Sequence, residues 1–287
     1  MKNILITGAT GFIGSNFVEA NYKDNQLIIL HRKNSNISRF KEHKNCFFCE
    51  YDETLESLNQ INEIGKPDVV LHLATHFVPT HDSRDIDLLV NANILFSMHL
   101  AEYCKNVNIK NFIFAGTIWQ NYQNQTYNPL SLYAATKQAF ADILKFYSEV
   151  HGFNSAILKL PDVYGPNDER KKIFNIIQQF AEQKEQLEMS KGEQIIDIIN
   201  IKDVINGLNL IVQNINKDPN FQGYNEYCLT NPIKYTLKEL VSVFLEYKKI
   251  VVDIKWEKKP YRPREIFSAI MNIKSLPGWE KTYDIFE

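Results

Sequence analysis

Residues 3–14 read Asn3-Ile-Leu-Ile-Thr-Gly-Ala-Thr-Gly-Phe-Ile-Gly14: a strand-like run enters three glycines, and helical periodicity follows over 12–22. This is the context that a dinucleotide-binding loop requires. Gly8 suits the tight turn, Gly11 lets backbone approach a pyrophosphate, and Gly14 lets the helix pack closely on the strand. The helix N-terminus then offers free N–H groups to phosphate oxygens. Outward from this loop, apolar runs and helical periods alternate: strands at 26–31, 47–51, 68–73, 111–116 and 154–160, with helices at 54–64, 85–106 and 131–150. Such alternation predicts an α/β fold, a Rossmann-type doubly wound parallel sheet with right-handed crossovers. Beyond Tyr164-Gly-Pro166 the rhythm loosens into helices at 171–185, 202–215 and 236–248 and strands at 194–200, 225–229 and 251–256. The expected division is a dinucleotide-binding domain over 1–164 and a smaller C-terminal substrate-binding lobe over 165–287, with some segments returning to the large sheet.

The 287 residues carry a formal charge of -2, with 44% hydrophobic and 23% charged residues, which gives no bias toward nucleic acid or anionic membrane. The strand-like run directly after Met1-Lys2, and the lack of an apolar stretch of roughly 18 residues, lead us to expect a cytoplasmic protein. Cys46 and Cys49 form a C-x-x-C, but no second pair or suitably spaced histidines follow. Phe47-Phe48 between them reads as buried strand, so no metal is expected.

Tyr133-Ala-Ala-Thr-Lys137 places a phenol and an ammonium on one helix face. An adjacent cation is expected to lower the phenol pKa toward working pH. Taken alone the motif is weak, because 14 tyrosines make a chance pairing ordinary. In order along the chain stand the G-x-x-G-x-x-G loop, Leu71-His-Leu-Ala-Thr75, Asn93, Phe112-Ile-Phe-Ala-Gly-Thr117, Tyr133 with Lys137, Val163-Tyr-Gly-Pro166, and Asp197 to Asp203. This succession resembles the extended short-chain dehydrogenase/reductases of the NAD-dependent epimerase/dehydratase type. The resemblance implies that Thr117, Tyr133 and Lys137 are catalytic. Thr117 and Tyr133 would hold a ketone oxygen, and Lys137 would also bind the nicotinamide ribose. It further implies cofactor contacts at Gly8, Thr10, Gly11, Phe12, Ile13, Gly14, Leu73, Ala74 and Thr75, and at Asn93, which could equally be structural.

At the end of the second strand an acid favours the ribose diol of NAD, whereas a base accommodates the 2′-phosphate of NADP. The chain reads His31-Arg32-Lys33 there, so NADP(H) is favoured over NAD(H), with His31 and Arg32 as the contacts. Related enzymes epimerise, dehydrate, decarboxylate or reduce nucleotide-linked sugars. Dehydratases of the family place acids just after the threonine; Ile118-Trp119 stands there instead. The run Gly116-Thr-Ile-Trp-Gln-Asn-Tyr122 and the segment from Tyr127 to Phe140 are similar to nucleotide-sugar 4-ketoreductases of the CDP-abequose and CDP-paratose synthase type. The expected reaction is therefore NADPH-dependent reduction of a 4-keto group on a nucleotide deoxysugar. An NAD-dependent 4-epimerase and a catalytically silent dinucleotide sensor stay open as alternatives.

Trp119 and Gln120 are candidates to touch the hexose; the resemblance further implies that Asn167 faces the sugar nucleotide and that Arg262 or Arg264 grips its diphosphate. Lys159 and Ile196 stand where the resembled family often has arginine. The resemblance also implies a homodimer through helices 85–106 and 131–150, where Phe96, Leu100, Phe140, Leu144 and Tyr147 give apolar bulk.

Overall fold

The computed structural model describes residues 1–286. Its centre is a seven-stranded, all-parallel sheet of β1 (Asn3–Thr7), β2 (Gln26–Arg32), β3 (Cys46–Tyr51), β4 (Val69–His72), β5 (Asn111–Thr117), β6 (Asn154–Leu160) and β11 (Tyr224–Cys228). Strand order is β11-β6-β5-β4-β1-β2-β3. The order reverses between β1 and β4, so the connections leaving those two strands part and leave a crevice at their carboxyl ends. That crevice is where the site lies. Both sheet faces are covered, which is why β4 reads as an uninterrupted buried run rather than an alternating one.

Side-chain alternation sends Ile4 and Ile6 to one core layer and Leu5 to the other. The first layer packs under α1 (Phe12–Asn21) and α7 (Ile201–Asn214). The second packs under α4 (Phe96–Asn106) and α5 (Leu132–His151). Cys46 and Cys49 fall on opposite faces, so the C-x-x-C pair cannot meet across the sheet. Ser131 caps α5 by accepting from Ala134 N, and Gly152 ends it at φ 67°.

The remaining elements are α2 (Ile61–Ile64), α3 (Asp85–Val90), β7 (Asp162–Tyr164), α6 (Ile173–Gln183), β8 (Leu187–Glu188), β9 (Ile195–Ile196), β10 (Ile198–Asn200), β12 (Tyr235–Thr236), α8 (Leu237–Lys248) and β13 (Ile254–Lys255). Three short two-stranded sheets, β7/β10, β8/β13 and β9/β12, complete the strand pairings. β11 continues the large sheet beyond β6.

Several expectations change. The helix at 54–64 is a 3₁₀ turn at Glu56–Gln60 followed by a single α turn. The helix at 85–106 is interrupted by a π turn at Asn91–Leu95. The strand at 194–200 is split at Asp197, whose carboxylate bonds Asn231 N and pairs with Lys234. The apolar stripe on the two long helices belongs to the core: Leu100, Phe140, Leu144 and Tyr147 are buried under the sheet and Phe96 packs against them. The exposed apolar side chains on these helices are others, including Leu95, Met98, Phe146 and Val150. Among the described residues no helix is long and apolar enough to cross a membrane.

Candidate active site

Gly8 takes φ 70° and sits so close to the chain leaving β4 that an added Cβ would lie 2.6 Å from Ala74 N. At Gly14 a Cβ would lie 2.2 Å from Gly8 O and 2.7 Å from Ala9 Cα. Neither backbone neighbour can yield, so both glycines are dictated by close approach. Gly11 is the N-cap of α1 and lacks a side-chain cap, leaving the first amides of the helix turned outward. This bare helix start fits a pyrophosphate.

Thr7, at the end of β1, receives Ala74 N at 3.1 Å and reaches His72 Nδ1 at 2.7 Å. His72 Nε2 meets Ser97 Oγ at 2.8 Å, and Ser97 donates to Asn93 O at 2.9 Å. Since Thr7 Oγ1 already accepts from Ala74, its proton points at Nδ1; the proton of His72 is then on Nε2, directed at Ser97. Full burial, with Lys137 as a smaller contributor, holds the His72 pKa well below the usual range, in keeping with this neutral ring.

Asn93 is not at the cleft surface. It is buried in the π turn, where Oδ1 accepts from Thr75 Oγ1 and His76 N. Its Nδ2 donates to His76 O and Thr136 Oγ1. All its capacity is spent positioning the chain after β4 against α5, so the expected cofactor contact is replaced by a positioning role.

A cleft of about 960 Å³ runs from this loop across the sheet's carboxyl end. Gly8, Thr10, Gly11, Phe12, Ile13, Gly14, Leu73, Ala74 and Thr75 line its inner wall. His31 and Arg32 line one end, where Ser35 Oγ accepts from Arg32 N at 3.2 Å. Arg32 is exposed and makes no ion pair among the described residues. Thr117, Tyr133 and Lys137 line the cleft farther along.

Tyr133 and Lys137 lie one turn apart on α5, and Thr117 ends β5. Thr117 Oγ1 accepts from Trp119 N at 3.3 Å, which leaves its own proton for another acceptor. Lys137 is 1% exposed, with its ammonium 4.1 Å from the Phe114 ring centroid. Burial pulls its pKa from 10.5 to about 7. Burial likewise pushes the Tyr133 phenol far up, Thr75 opposing by a hydrogen bond and Asp162 adding to the rise. The expected lowering of Tyr133 by Lys137 is therefore not what this structure displays: desolvation governs both groups, and the phenol is held as an acid.

Trp119 lines the cleft, 5.6 Å from the Arg262 guanidinium. Gln120 does not reach it. Its amide is fully buried over Gly116, accepting from Thr117 N at 2.8 Å and donating to Gln138 at 2.8 Å, so it braces the loop instead of facing a sugar. Arg262 pairs with the buried carboxylate of Glu265 and borders a smaller pocket shared with Trp119, Asp162 and Asp197. Arg264 turns to Asn128 Oδ1 and Pro129 O, and Asn167 is exposed at φ 60°; neither lines the cleft or the smaller pocket. Lys159 is buried in a pair with Glu226 at 2.6 Å and a bond to Asn121 at 2.8 Å.

Three features had no sequence signal. Phe77 stands edge-on to Tyr133 at 4.9 Å. Arg170 chelates Asp168 and lies 4.3 Å over the Phe12 ring, closing the glycine loop from the opposite wall. Lys172 lies 4.6 Å over Phe77 and pairs with Asp162 at 2.7 Å. The ring contacts of Phe77, Arg170 and Lys172 join segments far apart in the chain.

The family model described as "NAD dependent epimerase/dehydratase family" matches residues 4–225. A CDP-abequose synthase of Yersinia pseudotuberculosis is 26% identical over 248 residues, covering 85% of this chain and 84% of that protein. Among solved structures, the UDP-glucose 4-epimerase of Thermotoga maritima, determined with UDP-glucose, superposes with TM-score 0.82 at 22% identity, covering 98% of this chain and 94% of that one. The Thermus thermophilus UDP-glucose 4-epimerase, in complex with NAD, gives 0.79 at 21% identity, with 99% and 95% covered. Identities this low carry the fold alone.

Proposed function

Since this chain belongs to the NAD dependent epimerase/dehydratase family, we propose that it reduces the 4-keto group of a nucleotide-linked deoxyhexulose with NADPH, in surface polysaccharide synthesis. The observation that carries this reading is one continuous cleft with a bare, glycine-lined helix start at one end and Thr117, Tyr133 and Lys137 at the other. A bound dinucleotide supplies hydride to the carbonyl carbon. Thr117 donates its free proton to the carbonyl oxygen, and Tyr133, kept protonated by its surroundings, gives that oxygen a proton as negative charge develops. Lys137, whose pKa of about 7 leaves its protonated form available at neutral pH, offsets the negative charge left on the phenol oxygen as its proton leaves. Ile118-Trp119 offers no acid beside Thr117 to expel a hydroxyl.

NADP(H) is supported by His31 and the unpaired Arg32, and a substrate diphosphate by Arg262 beside Trp119. A cytoplasmic homodimer completes the proposal, with Met98, Phe146 and Val150 as the apolar face. Sedimentation should show two copies. A second reading, an NAD-dependent 4-epimerase, is favoured by the sufficiency of Thr117, Tyr133 and Lys137 for removing and returning a hydride. Mixing the protein with NADPH and a panel of nucleotide 4-keto-6-deoxyhexoses separates the two. Net oxidation of NADPH, abolished in Tyr133→Phe, supports reduction; sugar interconversion on retained NAD without net oxidation replaces it with epimerisation.

A further inference from the structure

Thr117 and Tyr133 can act on one oxygen only if β5, which carries the first, and α5, which carries the second, keep a fixed separation. A chain of side-chain hydrogen bonds ties the two elements. Gln120 Oε1 accepts from Thr117 N at 2.8 Å, Gln120 Nε2 donates to Gln138 Oε1 at 2.8 Å, and Gln138 Nε2 donates to Asp142 Oδ1 at 3.0 Å. Gln120 is fully buried and Gln138 is 8% exposed. Among the described residues the turn Ile118–Gln120 makes no other hydrogen bond to α5. Gly116 gives the first amide its room, since a Cβ there would lie 2.8 Å from Gln120 Oε1.

The direction of this chain is set from both ends. A backbone N–H only donates and a carboxylate only accepts, so neither amide can turn round without setting donor against donor or acceptor against acceptor. Thr117 is held reciprocally: its Oγ1 accepts from Trp119 N while Gln120 returns to its N–H, which fixes the hydroxyl relative to the turn. Gln138 follows Lys137 on α5 and therefore moves with Tyr133 as part of one helix. We propose that Gln138 is a positioning residue: by holding Gln120 it sets the separation of the Thr117 hydroxyl from the Tyr133 phenol, and Asp142 keeps it in the orientation that does so. The inference rests on the reading that both groups serve one carbonyl oxygen, which reduction and epimerisation share.

Steady-state kinetics and urea unfolding of the full chain test this together. Turnover is followed as NADPH oxidation with the nucleotide 4-keto-6-deoxyhexoses, or as interconversion of UDP-, dTDP-, CDP- and GDP-glucose. Gln138→Met keeps the length of the side chain and removes the acceptor; kcat should fall about tenfold or more with KM unchanged, because the donors are misplaced while the binding contacts stay. A merely structural side chain would lower the urea midpoint and leave kcat of the folded protein at the wild-type value, and that result overturns the proposal. The double variant Gln138→Glu/Asp142→Asn reverses only the last bond: position 138 still accepts from Gln120, and position 142 now donates. It should turn over close to the wild-type rate, and it decides the matter even where the Met variant does not fold. A folded double variant that stays about tenfold or more slower than wild type overturns the assignment. Sugar interconversion by wild type without net NADPH oxidation removes only the reductase reading, and kcat is then compared on that reaction. No turnover of either kind by wild type overturns the positioning role together with the reading it rests on.

Discussion

Replacing Lys137 with methionine keeps a long unbranched side chain and removes the charge, and the consequence is best sought in stability against pH. Lys137 has an ordinary pKa of 10.5 and about 7 in the fold, because its ammonium is buried. Between those values the unfolded chain holds a proton that the folded chain has released. Stability must therefore rise with pH through this window, by up to ~1.4 kcal/mol per unit where the difference approaches a full proton. Summed from pH 7 to pH 10, the gain is on the order of a few kcal/mol. Below pH 7 both states are protonated and the full cost of burying the cation is present. Urea unfolding followed by tryptophan fluorescence at pH 7, 8, 9 and 10 gives a curve for each protein. Groups other than residue 137 contribute to both curves and largely cancel in the difference. Wild type should lag Lys137→Met most at pH 7 and close the gap steadily toward pH 10. A difference that stays flat across the window would refute the reasoning, since Lys137 would then be charged in the fold.

Gly14→Ala forces a methyl to within 2.2 Å of Gly8 O, so α1 must move; we expect a loss of about 1–3 kcal/mol and at least a tenfold weaker hold on NADPH by fluorescence titration. Wild-type values for both would refute the role given to that contact. Arg32→Gln should raise the KM for NADPH roughly tenfold or more while leaving NADH nearly unchanged, because only the 2′-phosphate needs the fork. Gln120→Met strips Thr117 N of its acceptor and should cost on the order of 2 kcal/mol in denaturant with KM unmoved. A raised KM at full stability would return Gln120 to the sugar.

Local chemistry explains which parts of the site were legible. The glycine loop is readable because tight turns and close packing demand a residue without a side chain, and Gly8 and Gly14 meet that demand within a few residues of each other. The Tyr133 and Lys137 pair is readable because helical spacing alone puts them on one face. The place of Gln120 is not legible in the sequence, because its neighbours Thr117 and Trp119 face the cleft while the tertiary contact with Gln138 turns its amide inward. Asp162 on β7, Lys172 in the loop that follows it and Phe77 in the connection after β4 converge, and nothing in their local sequence announces the meeting. The apolar stripe of the long helices suited an interface as well as a core, since periodicity gives a face but not its partner.

The π turn at Asn91–Leu95 gives its helix one residue more than regular winding would use. The wider winding absorbs that surplus and so keeps the faces of the segments on either side in step. Leu88, in the turns upstream, is part of the cleft wall, whereas Leu100 downstream is anchored in the core. Deleting a single residue from the turn would let the helix close into continuous α geometry with both flanks keeping their faces, whereas tightening the turn at unchanged length would swing the upstream wall by about 100° around the helix axis. The mouth of the cleft thus depends on this turn staying wide, which makes it a place where substrate range can change without any side chain at the reacting centre being altered.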